Sequence, residues 1–215
     1  MYQTVIFDLD GTLLDTLDDL ANAVNHALQS FGLKTRTKEE VRSFVGNGVV
    51  NLMQRAVGEE YLQQSNILAA FREYYKAHCE DKTKPYDGVM KLLTELKKRG
   101  IKTAVVSNKM DSAVKALTKT YFDGLIGDAV GENEAAGIRK KPAPDSLIAV
   151  MEKLGVDKQS TVYVGDSEVD IQTADNAGVD CISVTWGFKD EPFLIENGGK
   201  IFVDDPMDIL NFCKE

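Results

Sequence analysis

Tyr2-Gln-Thr-Val-Ile-Phe7 runs straight into Asp8-Leu-Asp10-Gly11-Thr12, and this junction decides how the rest of the chain is read. The first six residues are mostly apolar, with a β-branched run at their centre, the composition of a buried strand, and the pattern stops abruptly at two acids and a glycine. On a strand, residues i and i+2 point to the same side, so Asp8 and Asp10 would bring two carboxylates together. They repel unless something cationic neutralises them. By itself Asp-x-Asp is also an ordinary turn, since Asp breaks strands and caps helices.

Downstream the periodicity turns helical. Leu20, Val24, Leu28 and Phe31 recur at helical spacing and Gly32 ends the segment. Thr37-Lys-Glu-Glu40 is a capping box. Gly46-Asn-Gly48 breaks the pattern, Val49 to Val57 resumes it before Gly58, and Tyr61 to His78 is predicted as one further helix. After Lys82-Thr-Lys-Pro-Tyr86 helices and strands alternate. Val89, Leu92, Leu93 and Leu96 form one helical face closed by Gly100. Lys102 to Val106 is a strand ending at Ser107-Asn108, and Asp111 is the expected cap of the next helix. A short strand is expected at Leu125 to Ala129. Pro144 opens a helix through Leu147, Ile148, Met151 and Leu154 to Gly155. Thr161 to Val164 is a strand ending at Gly165-Asp166, and Ser167 is placed to cap a helix closing at Gly178. Cys181 to Val184 and Lys200 to Val203 are further strands.

Strands alternating with amphipathic helices imply an α/β fold with a doubly wound parallel sheet. Residues 1–15 and 83–215 are expected to form this core. Residues 16–82, four helical segments without a strand, are expected to be a small α-helical domain inserted after the first strand. The chain has no internal repeat.

Of the 215 residues, 43% are hydrophobic and 27% charged, ordinary globular values that exclude a disordered or low-complexity chain. The length suffices for a core without disulfide or metal staples. No apolar run approaches the ~18–20 residues that span a bilayer. The first ten residues lack a basic start and place two acids where a signal's apolar stretch would lie, so no secretory signal is expected. Cys79, Cys181 and Cys213 are scattered, which fits a reducing cytoplasm rather than a disulfide framework or zinc site. The net charge of −9 argues against nucleic acid bound through a broad basic face. It leaves a small anionic substrate open, because a metal ion and one lysine can invert the field inside a cleft.

In open α/β sheets ligands bind beyond the carboxyl ends of the strands. That rule gathers Asp8, Asp10, Ser107, Asn108, Lys141 and Asp166 at one edge. Asp8, Asp10 and Asp166 as clustered oxygen ligands call for a hard divalent cation, most simply Mg²⁺. Ser107 and Asn108 could cap the following helix or, with its first N–H groups, cradle a phosphate. Lys140-Lys141 could be a solvated pair. Lys141 is the one chosen to face the acids, because Pro142-Ala-Pro144 fixes the backbone directly after it; there it would bind a phosphoryl group and hold an aspartate ionised. Asp170 lies four residues after Asp166 on the same helix face. It could reach the metal through water, orient the ligands, or serve as a helix-start acid. Asp15 and Asp175 are read as surface or capping acids, and His26 and His78 as surface or partial-core residues away from the acids. Trp186 and Phe188 could line the crevice or simply pack.

Together Phe7-Asp-Leu-Asp-Gly-Thr-Leu13, Val106-Ser-Asn108, Lys141-Pro142 and Gly165-Asp-Ser-Glu-Val-Asp170 resemble, in order, the four motifs of the haloacid dehalogenase superfamily. The resemblance covers essentially the whole chain. The helical insert resembles that superfamily's small α-helical cap, and Val45-Gly-Asn-Gly48 with Leu52-Met-Gln-Arg55-Ala56 resembles the phosphoglycolate phosphatase branch. The resemblance implies a Mg²⁺-dependent phosphatase of a small phosphorylated metabolite. Asp8 would be the nucleophile and Asp10 the acid/base. The cation would be held by the Asp8 carboxylate, the Asp10 carbonyl and Asp166, and the phosphoryl group by Ser107, Asn108 and Lys141. Asp10 is present, unlike in the superfamily's dehalogenases. Lys34, Lys38 and Lys76 match a Schiff-base cap lysine by residue type only. Leu20 stands where the β-phosphoglucomutase branch has a histidine. Two alternatives use the same nucleophile: a phosphomutase of that branch, and a phospho-accepting receiver-like module.

Overall fold

The computed structural model describes residues 1–133 and 137–214, the side chains of residues 63 and 64 apart. The chain divides into two compact units, residues 1–14 with 85–215, and residues 15–84. In chain order the elements are β1 (Thr4–Phe7), β2 (Leu14–Asp15), α1 (Leu17–Ser30), α2 (Lys38–Phe44), α3 (Gly48–Val57), α4 (Glu59–Gln64) and α5 (Ile67–His78). There follow β3 (Lys84–Pro85), α6 (Val89–Lys98), β4 (Lys102–Met110), α7 (Asp111–Phe122), β5 (Asp128–Glu132) and α8 (Asp145–Leu154). The last are β6 (Thr161–Gly165), α9 (Glu168–Ala177), β7 (Asp180–Val184), α10 (Glu191–Glu196), β8 (Ile201–Val203) and a 3₁₀ turn at Pro206–Phe212.

The first unit is a six-stranded sheet in the order β5-β4-β1-β6-β7-β8, and every pair is parallel. The α/β doubly wound fold expected from the alternation is therefore present. The order of connection reverses at β1, which lies between β4 and β6, and such a switch point opens a crevice at the strands' carboxyl ends. Register levels those ends: Phe7 pairs with Val105 on one side and Val164 on the other. β1 is buried on both faces, as parallel strands are. Val5 and Phe7 pack with Leu92, Leu96, Val114 and Leu117 of α6 and α7. Ile6 faces the opposite layer with Leu147, Val150, Ala174 and Ala177 of α8 and α9.

The second unit is helical. Its core holds Leu20, Val24 and Leu28 of α1 with Val41, Leu52, Met53, Ile67 and Phe71. Thr37 and Glu40 form the capping box of α2. Buried Asp19 accepts from the backbone N–H groups of Lys82 and Thr83 and from the Thr83 hydroxyl at 2.8–3.1 Å, which ties the unit's last residues to its first helix. His26, Tyr74 and His78 stack in series, with centroids 4.0 and 4.2 Å apart.

Several elements depart from the periodicity. The helix expected over Tyr61 to His78 is two, α4 and α5, because Ser65 is extended (φ −123°, ψ 158°) and Asn66 precedes α5. Ser and Asn are weaker helix formers than the Leu, Gln and Ala residues on either side. The strand expected at Leu125 to Ala129 is shifted to Asp128–Glu132. β4 runs past Ser107-Asn108 to Met110, so these two residues sit within the strand rather than at a helix start. Asp111 is the first residue of α7, not its cap, and its carboxylate accepts from Gly131 N–H at 3.0 Å. Among the described residues no helix is long and apolar enough to cross a membrane.

Candidate active site

The site lies at the switch point and is assembled from the first unit alone. Asp8 follows β1 directly. Its N–H continues the ladder to the Val164 carbonyl at 2.8 Å, and its Oδ1 accepts from Leu9 N–H at 2.7 Å. Asp166 follows β6 and Asp170 lies in the first turn of α9. Oxygens of Asp8, Asp166 and Asp170 all lie within 4.8 Å of one another, and all three residues are buried.

Lys141 enters this cluster from the loop before α8. Its Nζ lies 2.6 Å from Asp170 Oδ1, 3.0 Å from Asp8 Oδ1 and 2.9 Å from the Tyr163 hydroxyl, with the side chain 3% exposed. Tyr163, in β6, donates in turn to the Val106 carbonyl at 2.8 Å. Asn108 fixes the loop: its Oδ1 accepts from Lys141 N–H at 2.7 Å and its Nδ2 donates to the Lys141 carbonyl at 3.0 Å. Asp170 Oδ2 accepts from Ser167 N–H (3.1 Å) and Oγ (2.6 Å).

Asp166 is packed by residues without side chains. A Cβ on Gly11 or on Gly187 would collide with its side chain. Gly11 also has φ +84°, a left-handed backbone that side chains rarely adopt. The Asp166 carboxylate accepts from Phe188 N–H at 2.7 Å and Thr12 Oγ1 at 3.3 Å, and Trp186 Nε1 donates to the Thr12 carbonyl at 3.0 Å. Trp186 and Phe188 thus support the site through Thr12 and Asp166.

Asp10 is turned elsewhere. Its carboxylate is held by Lys109 Nζ at 3.0 and 3.2 Å, outside the three-carboxylate cluster. Lys109 is a residue the sequence reading passed over. The available signal was its place, two residues past Ser107 and on the same side of a strand that ends at the crevice. Ser107 is buried, and its Oγ accepts from Lys109 N–H at 3.3 Å, which leaves its proton to donate. Of the residues set aside, Asp15 accepts from Leu17 N–H at 3.3 Å and Asp175 is exposed.

Burial, with the charges of Asp170 and Asp10 adding to it and Lys141 opposing it, pushes the Asp8 carboxyl up to about 7. Burial first and then Asp170 and Asp8 push Asp166 well above the usual carboxylate range. Burial alone would depress Lys141, but the charges of Asp170 and Asp8 outweigh it and hold the ammonium well above its ordinary value. Four carboxyl groups (Asp8, Asp10, Asp166, Asp170) meet two ammonium groups (Lys109, Lys141), so full ionisation would leave two negative charges uncompensated, in line with the raised Asp8 and Asp166 carboxyls. A hard divalent cation on the oxygens of Asp8 and Asp166 fits both that charge and that donor chemistry. The arrangement can present one carboxylate as a nucleophile, hold a second apart from it, and set an ammonium group beside each.

A family model described as haloacid dehalogenase-like hydrolase matches residues 5–184. Phosphoglycolate phosphatase 1 of Pseudomonas aeruginosa is 34% identical over 221 residues, covering 96% of this chain and 78% of that one. A phosphoglycolate phosphatase of Aquifex aeolicus is 32% identical and covers 86% of each. A solved structure from Lactobacillus delbrueckii subsp. bulgaricus, provisionally named a phosphoglycolate phosphatase, superposes with a TM-score of 0.91 at 38% identity, covering 100% of this chain and 99% of that one.

Proposed function

The chain belongs to the haloacid dehalogenase-like hydrolases, and on that premise we propose that it is a Mg²⁺-dependent phosphatase hydrolysing 2-phosphoglycolate through an aspartyl-phosphate on Asp8. The observation that carries the reading is Asp8 itself. It is a buried carboxylate at the end of the central strand, with the Lys141 ammonium 3.0 Å from one oxygen and Asp166 and Asp170 within 4.8 Å. The relatives named above supply the substrate.

In the proposed reaction an Asp8 oxygen attacks phosphorus and the bond from phosphorus to the alcohol oxygen breaks. For this step Asp10 would take up a proton as the anionic phosphate binds, and give it to that oxygen. Water then attacks phosphorus while Asp10 takes a proton from it, the bond to Asp8 breaks, and phosphate leaves with both aspartates restored. Splitting one hard displacement into two is what a carboxylate nucleophile offers, and one acid/base group serves both halves. Lys141 and the Ser107 hydroxyl hold the phosphoryl oxygens, and Asn108 acts on them through the lysine loop that it fixes. Asp8, the Asp10 carbonyl and Asp166 would hold Mg²⁺, which when bound supplies positive charge against the transferring group. The helical unit, residues 15–84, is proposed as the cap that selects the rest of the substrate.

The test is phosphate release from 2-phosphoglycolate beside sugar phosphates, nucleotides and pyrophosphate, with Mg²⁺ and with EDTA. Release strongest on phosphoglycolate, abolished by EDTA and by Asp8→Asn, is expected. Release that survives both treatments would overturn the mechanism, and a different preferred compound would overturn the substrate.

A further inference from the structure

The Lys109–Asp10 pair is built by a distortion of β4. Val106 pairs with Val130 and Met110 with Glu132, so four steps along β4 (106 to 110) match two along β5 (130 to 132). Two extra residues are accommodated at Ser107 to Lys109, and such bulges re-aim side chains. Gly131 makes room for it: a Cβ there would lie 2.5 Å from the Lys109 carbonyl and from Asp111 Cα. The result is a lysine side chain 5% exposed, its ammonium bracketing both oxygens of Asp10 at 3.0 and 3.2 Å. Desolvating such a pair costs about as much as its attraction returns, so stability is a weak reason for it. Its geometric effect is definite. Asp10 lies in an irregular segment, bridged to Leu14, and the two-oxygen contact fixes the orientation of its carboxylate.

We propose that Lys109 is a positioning residue: through this contact it sets the Asp10 carboxylate where the leaving oxygen is protonated. The inference rests on the reading of Asp10 as the acid/base. A misplaced acid matters only when the leaving group needs a proton. It should therefore slow an alkyl phosphate such as 2-phosphoglycolate and largely spare 4-nitrophenyl phosphate, whose phenolate departs unaided. Because kcat/KM reports the steps up to loss of the leaving group, it is the quantity to compare.

The experiment measures kcat/KM on both substrates for the intact Mg²⁺-loaded enzyme, Lys109→Met, Asp10→Asn and the double variant. Lys109→Met is expected to lose on the order of 10²-fold on phosphoglycolate, the low end of what acid–base catalysis contributes, and under about 10-fold on the aryl ester. In the Asp10→Asn background the same lysine change is expected to alter the phosphoglycolate value less than about 3-fold, because the group it positions is gone. The double variant removes both charges together and leaves no lone buried ion, so its comparison with Asp10→Asn stays readable even where Lys109→Met folds poorly. Equal losses on both substrates, or an undiminished lysine effect without Asp10, would overturn the inference while the phosphatase reading stands. An Asp10→Asn enzyme showing no substrate selectivity would remove the acid/base reading itself, and this inference with it.

Discussion

Lys141 and Asp170 form an ion pair of 2.6 Å in which the lysine side chain is 3% exposed and the aspartate 0%. Water screens little there, and each charge depends on the partners packed around it, Lys141 on Asp8 as well and Asp170 on Ser167. Removing one partner of a buried pair typically costs about 3–5 kcal/mol, and because Asp8 still faces the Lys141 ammonium at 3.0 Å the low end applies here. Asp170→Ala is therefore expected to lower unfolding stability by about that amount and to reduce activity as well, because the Lys141 ammonium loses its shortest contact. Denaturant unfolding with a parallel phosphate-release assay checks both. A variant with unchanged stability would show that the pair is not held as described.

Tyr163 carries a milder version of the same argument. Its hydroxyl accepts from Lys141 and donates to the Val106 carbonyl, inside a fully buried strand. Tyr163→Phe keeps the ring and removes one oxygen. A hydrogen bond to a charged group contributes about 1.5–3 kcal/mol, so a stability loss in that range is expected with the fold intact. Urea unfolding reads it, and a loss under about 0.5 kcal/mol would contradict the buried network.

The parts of this arrangement that were legible in the sequence are those set by local chemistry. Acids at the ends of apolar runs mark strand termini, so Asp8 and Asp166 could be placed before any contact was known. The Pro142-Ala-Pro144 run singled out Lys141 over Lys140. The place of Lys109 near Ser107 was legible, but its aim at Asp10 was not, because a bulge sets it and that bulge depends on Gly131 in another strand. Tyr163 read as a strand residue because its polar tip finds partners only after β1, β4 and β6 are assembled. The break at Ser65-Asn66 was missed for a related reason: two residues that favour non-helical backbone interrupted an otherwise unbroken apolar rhythm.

Gly187 tests how tightly the acidic cluster is enclosed. A methyl group there would meet the Asp166 side chain and lie 2.6 Å from the Gly11 carbonyl. Both neighbours are held, Asp166 by Phe188 N–H and Gly11 by its hydrogen bond to Leu14. Overpacking of this kind typically costs about 1–3 kcal/mol. Gly187→Ala is expected to lose that much stability and to weaken Mg²⁺ binding by at least about 10-fold, as ligand-orienting changes do. Calorimetric titration with Mg²⁺ would show it, and wild-type affinity in the variant would mean that Asp166 is not a ligand.

The raised Asp8 carboxyl gives a pH dependence with a definite sign. Its value is about 7 when folded against an ordinary 3.8, so between those values the folded chain binds more protons than the unfolded one. Stability then falls as pH rises through that window, because each step upward removes a proton the folded state prefers to keep. Asp166, raised in the same direction, adds to the trend. Below about pH 4 neither group costs stability, since both carry their protons in either state. A divalent cation reverses the balance because it binds the ionised oxygens and competes with those protons. In EDTA the melting temperature is thus expected to drop from pH 5 to pH 7. The rise produced by saturating Mg²⁺ is expected to be small at pH 5 and to grow toward pH 8. Asp8→Asn should reduce the metal-free slope, since one of the two groups that titrate is gone and Asp166 remains. A Mg²⁺ shift independent of pH would show that the cation does not compete for these carboxylates and would place it elsewhere.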